Sequence, residues 1–114
     1  MSLDVYLMSP PCEHCGRGED TLWERNITHN LAPMADAAGL YKVMWRPEEI
    51  GVVTAADALP HLRAGWDRLN ADSAAMLALS PANGWGTYDG LRDFVSAYIG
   101  ACVDNPAAVI RVSR

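Results

Sequence analysis

Thr87-Tyr88-Asp89-Gly90-Leu91-Arg92-Asp93-Phe94-Val95-Ser96-Ala97-Tyr98-Ile99-Gly100-Ala101-Cys102-Val103-Asp104-Asn105-Pro106-Ala107-Ala108-Val109-Ile110-Arg111-Val112-Ser113 carries two different hydrophobic periods in one run. Leu91, Phe94, Val95, Tyr98, Ile99 and Cys102 recur at the spacing of one helix face. Thr87 can cap that helix, and Asp89 in its first turn suits the positive end of the helix dipole. Asn105-Pro106 stops it. Ala108, Ile110 and Val112 then alternate with Val109, Arg111 and Ser113, which is the period of a strand. A helix followed directly by a strand predicts an α+β fold.

The N-terminus repeats the strand pattern. Leu3, Val5 and Leu7 alternate with Asp4, Tyr6 and Met8, and Ser9-Pro10-Pro11 ends the run. Thr21–Thr28 reads as a second strand, so the two make a hairpin whose tip is the loop Cys12–Asp20. Asn30 is expected to cap a helix to about Ala38, with Leu31, Met34, Ala35 and Ala38 on one face and Gly39 as the stop. Leu40–Trp45 reads equally as a short strand or a helical turn. Thr54 can cap a helix in which Leu59, Leu62, Trp66 and Leu69 step by three, four and three. Pro60 inside it predicts a kink or a late start. Residues 71 to 79 can add a further turn or two. The sum is a small antiparallel sheet of about three strands packed against three or four helices, in one domain spanning residues 1–114. Whether the C-terminal strand pairs with the first or the second strand is left open by the pattern.

The chain has 114 residues, half of them hydrophobic, and a formal net charge of −5. Nine basic residues include a single lysine, Lys42. Such a balance disfavours binding to a nucleic-acid polymer, which needs a basic face, and gives no polybasic anchor for a membrane. No apolar run is long enough to span a bilayer, and no secretion signal is visible. Three cysteines is an odd count and argues against a closed disulfide framework. A reduced, cytoplasmic protein is expected.

Cys12-Glu13-His14-Cys15-Gly16 has C-x-x-C-G spacing, which lets two thiolates face one ion. Zinc is the cofactor this suggests, in a zinc-clipped hairpin, with Cys12, Cys15 and His29 as ligands and His14 as a local alternative. A closed zinc site takes four ligands, so this set is short. A reduced dithiol in a surface loop and a thioredoxin-like redox motif are the other readings. Cys102 lies on the buried stripe and reads as core.

Three further segments combine π-faces with polar groups. The first holds Thr28, His29 and Asn30, and the second joins Trp45 to Arg46 before Pro47. The third, Asn83-Gly84-Trp85-Gly86-Thr87-Tyr88, sets an indole among glycines. His29, Asn30, Trp45, Arg46, Asn83, Trp85 and Tyr88 are therefore the expected ligand-binding residues. An indole can stack on a planar ring, and a guanidinium can clamp an anion by two parallel bonds. That mixture suits a compact, nucleotide-derived ligand. Each residue also has a plain structural use, as a cap, a core plug or a surface ion pair. A protein-binding module or inhibitor is the alternative, since Trp, Tyr and Arg are enriched at interfaces. A small hydrolase or transferase comes third, because no G-x-S-x-G elbow, H-E-x-x-H helix or P-loop is present. Of the four tryptophans, Trp66 and Trp23 read as packing residues, whereas Trp45 and Trp85 carry the functional expectation.

The runs NITHNLAPMADAAGLY (26–41), WRPEEI (45–50) and NGWGTYDGLRDFV (83–95) together resemble a family of small phage- and prophage-encoded proteins, over most of the chain from about Cys12 onward. The resemblance implies an accessory protein made in a bacterial cytoplasm, and not a virion building block. Sequestering a host immune signal would be one use of such a protein. It carries over no catalytic or binding residue.

Overall fold

A computed structural model describes residues 2–10, 20–84 and 86–114. Three antiparallel strands form one sheet in the order β2-β1-β3, with β1 at Ser2–Met8, β2 at Thr21–Thr28 and β3 at Val109–Ser113. Five helices accompany it: α1 (Ala32–Ala37), α2 (Tyr41–Trp45), α3 (Ala55–Ala71), α4 (Ser73–Leu77) and α5 (Tyr88–Asp104). The α+β reading therefore holds, and the C-terminal strand pairs with the first strand.

β1 takes the centre because its inward set, Leu3, Val5 and Leu7, is the most completely buried of the three. Leu3 faces Ile27, Val5 faces Val112, and Leu7 faces Trp23 on one side and Ile110 on the other. The helices cover this face. Trp23 stacks on Tyr98 of α5 at 5.3 Å and meets Phe94 edge-on at 6.1 Å. The opposite face is polar, where the Asn26 amide donates to Asp4 Oδ1 and Ser2 Oγ.

The outer edge of β3 is tied to the start of α3. Ile110 N–H donates to the Val53 carbonyl, and the Ala55 and Ala56 N–H groups donate to the carbonyls of Ala108 and Pro106. These are donors a helix N-terminus otherwise leaves without partners. Thr54 and Asp57 complete the end as a reciprocal capping box. With its first turn held this way, α3 begins at Ala55, five residues before Pro60, so the late start does not occur. Pro60 is exposed, away from the core.

Two local expectations are revised. Thr28, not Asn30, supplies the cap at the first helical segment, its hydroxyl accepting from the Asn30 N–H at 3.3 Å. The segment then splits into a 3-10 turn at His29–Leu31 and the short α1, with Pro33 near the start of α1. Proline supplies no N–H, which favours a fresh helix start there. Leu40–Trp45 resolves as helix, its described core being α2. The Thr87 cap is as expected, its Oγ accepting from Gly90 N–H at 2.9 Å.

Candidate functional site

Tyr41 and Trp45 are four residues apart on α2, so their side chains lie on the same face of the helix. Their rings stack at 5.6 Å with only 5° between the planes. Trp45 is 2% exposed and Tyr41 half-buried, so the indole backs the phenol ring. His29 meets Trp45 edge-on at 6.2 Å. Arg46 closes the group, its Nε donating to the Tyr41 hydroxyl over a long 3.5 Å and lying 3.6 Å from Glu49. Acceptance by the Tyr41 hydroxyl is the main reason the guanidinium is held even more firmly in its charged form than usual. Trp45 Nε1 and His29 Nε2 are both buried without a protein partner among the described residues.

The end of the chain braces this group. Arg114 donates to the Trp45 carbonyl at 2.7 Å and to Glu48 Oε1 at 2.6 Å. Hydrogen bonding from Arg114 is the largest cause holding the Glu48 carboxyl below its ordinary range.

The first two polar-aromatic segments therefore meet, through His29 and Trp45. The third reaches the first by backbone: Gly86, at φ +102°, sits so close to Thr28 and Leu31 that a Cβ there would lie 2.7 Å and 2.8 Å from their side chains. Only glycine fits that approach. Trp85 lies outside the described residues, as do Cys12, His14 and Cys15. Asn30 and Asn83 are exposed. Tyr88 belongs to a different seam: its hydroxyl donates to the Leu69 carbonyl at 2.6 Å, and Arg92 lies over both Tyr88 and Trp66. Tyr88 thus locks α5 to the end of α3.

Beside the Tyr41–Trp45 stack lies a hollow of about 300 Å³, lined by Asp36, Gly39, Tyr41, Lys42, Val43, Ile50 and His61. Tyr41 belongs to both features. Five of these seven residues come from the chain between α1 and the end of α2, and His61 comes from α3. The sequence reading overlooked Tyr41, Lys42 and Asp36. A usable signal was there, since the chain's single lysine stands beside an i, i+4 Tyr–Trp pair directly after a helix-stopping glycine. His61 is exposed, as expected of its position after Pro60, but it faces this hollow. A smaller hollow of about 110 Å³ on the polar sheet face is lined by Asp4, Tyr6, Glu24, Arg25 and Asn26. Two carboxylates make it a poor seat for an anion.

Among the described residues no three His, Cys, Asp or Glu side chains are grouped as a metal site. His29 packs on Trp45, and the Cys12–Cys15 expectation lies outside the described residues. Cys102 is fully buried, and burial pushes its thiol up to about 12. It stays protonated near neutral pH and is a poor nucleophile. Among the described residues no helix is long and apolar enough to cross a membrane. Comparison with family models, curated proteins and solved structures finds no match.

Proposed function

We propose that this chain is a small-molecule-binding protein, and that the hollow beside Tyr41 takes a compact, planar, negatively charged ligand of the nucleotide-derived kind. The observation that carries this reading is one phenol ring with two roles: it is stacked flat on a buried indole, and it lines a concavity that also holds Lys42 and His61. A ring fixed from behind loses little freedom when a ligand settles against it, which favours binding. The hollow is at the small end of the size range of ligand sites. A concave site also fits better than a protein-docking patch, because among the described residues Trp45 and Tyr88 are buried and Trp23 and Trp66 half-buried instead of forming an exposed aromatic surface. In the phage setting that the sequence resemblance implies, the protein would act by sequestering such a molecule from a host defence.

Calorimetry against a panel of nucleosides and nucleotides tests the reading. At least one should bind, and Tyr41→Ala should weaken it about tenfold or more, since loss of a stacked ring costs roughly 1–3 kcal/mol. Absence of binding across the panel at millimolar concentration, or full affinity in Tyr41→Ala, would overturn it.

A further inference from the structure

We infer that the ligand's charged end is a phosphate monoester, received by Arg68 where it lies over Gly39; this rests on the reading of the hollow as a ligand site. His61, Gly65 and Arg68 step by four and three along α3 and so share one side of that helix. Two glycines let this side come close to the junction of α1 and α2. A Cβ built on Gly65 would fall inside the van der Waals shell of the Leu40 side chain, so α3 approaches Leu40 directly. One turn on, a Cβ built on Gly39 would lie 2.5 Å from Arg68 Nη1. The guanidinium therefore occupies the space a side chain would take at residue 39, and Gly39 itself lines the hollow.

Gly39 has φ +75°, the left-handed region that favours glycine, and its N–H is committed to the Asp36 carbonyl at 2.9 Å. The Leu40 N–H likewise donates to the Ala35 carbonyl at 2.8 Å, so backbone donors meet these two carbonyls at the end of α1. Among the described residues the Arg68 side chain makes no ion pair or hydrogen bond. Its donors form a planar fork that matches two oxygens of one phosphate. Arg68 borders the hollow at Gly39 and is not itself on the lining, whereas Lys42 is on it and is already shared with Glu49 at 3.5 Å. Asp36 is the one carboxylate on the lining among the described residues. It repels an anion placed against it and accepts from N–H or O–H groups. The arrangement orients a ligand with its phosphate toward Arg68, its sugar or amino donors toward Asp36, and its ring at Tyr41. A nucleoside monophosphate has these three parts.

Matched pairs of probes test this in the full-length protein: AMP, GMP, CMP and UMP, each against its nucleoside and against inorganic phosphate. One monophosphate should bind at least tenfold more tightly than its nucleoside. Arg68→Gln should abolish that difference while leaving nucleoside affinity and melting temperature unchanged, and Arg68→Lys should restore part of it. Equal affinity for nucleotide and nucleoside in the unaltered protein would overturn the phosphate assignment and leave the hollow as a ring-binding site. Equal loss of both ligands in Arg68→Gln, together with a lower melting temperature, would overturn it too, making Arg68 a structural clamp on Gly39. Binding of no probe would overturn the reading of the hollow itself.

Discussion

The α3–α5 seam and the α1–α2 region are built by opposite means. In the seam, two 17-residue helices begin at side-chain caps, Thr54 and Thr87, and bury continuous apolar stripes against each other and the sheet. In the α1–α2 region, helices of six and five residues start without side-chain caps and are separated by a left-handed glycine. Helices that short have no independent stability in water. They persist because Leu31, Met34, Leu40, Met44 and Trp45 are inserted into a core shared with the seam. The same region packs its inner side into the core and presents Tyr41, Lys42 and Asp36 on its outer side. The core is thus shared by the two halves, whereas recognition is confined to one of them.

The sharpest way to break this division is to damage the seam. Phe94 is buried between Trp23 and Tyr98. Phe94→Ala should cost about 3–5 kcal/mol in urea unfolding, whereas Tyr41→Ala should change stability far less and act on ligand affinity. Equal destabilisation by the two would remove the contrast.

Gly65 sits where the halves touch. Adding a methyl in mid-helix gains up to about 1 kcal/mol of helix propensity. Here it must displace the fully buried Leu40 side chain, and overpacking of that kind costs roughly 1–3 kcal/mol. Gly65→Ala should therefore be destabilising on balance. The same substitution made in a Leu40→Ala background should be neutral or stabilising. A stabilising effect in the unaltered protein would show that the junction is looser than described.

The smallest expected effects separate the halves by acid and salt. The Asp57 carboxyl is held below its ordinary value by the Thr54 N–H, then the Val53 N–H and the Thr54 hydroxyl. Glu48 is lowered mainly by Arg114. Both groups have depressed folded-state values, so each contributes stability above its unfolded value, near 3.8 and 4.5 respectively. That contribution is lost as the pH falls through the folded value. Acid unfolding should thus separate Asp57→Asn and Glu48→Gln from the parent protein above pH 4–5, with the difference closing below it. Added salt should erase the Glu48 effect, an exposed ion pair, and spare that of Asp57, which rests on fixed backbone donors. The opposite salt order would contradict the assignment of partners.

The same division explains what could be read from residues alone. Thr54, Thr87 and the stripe Leu91–Cys102 act within one or two helical turns, so spacing reveals them. The inward alternation of Leu3, Val5 and Leu7 is equally local. The partner of β3 depends on contacts a hundred residues apart, which no periodicity records. Asn30 was a plausible cap by residue type, but the Thr28 hydroxyl two positions earlier reaches its N–H first, and Pro33 restarts the helix. His29, Trp45 and Arg46 were identifiable as chemistry-bearing residues, and they do cluster. Trp45 proves to be the backing of a stack whose outer ring is Tyr41. The hollow itself was invisible, because it joins Asp36 to His61 through the close approach of Gly65 to Leu40. Sequence marks such an approach only as one more glycine in a helix.

An amide-resolved NMR titration of the full-length protein with a nucleoside monophosphate tests the central claim most directly. The account predicts saturable shifts confined to residues 36–42 and to His61 and Arg68, with the seam around Phe94 and Tyr98 unmoved. Shifts centred on Asp4, Glu24 and Asn26 of the open sheet face, or no saturable shift at millimolar ligand, would contradict it.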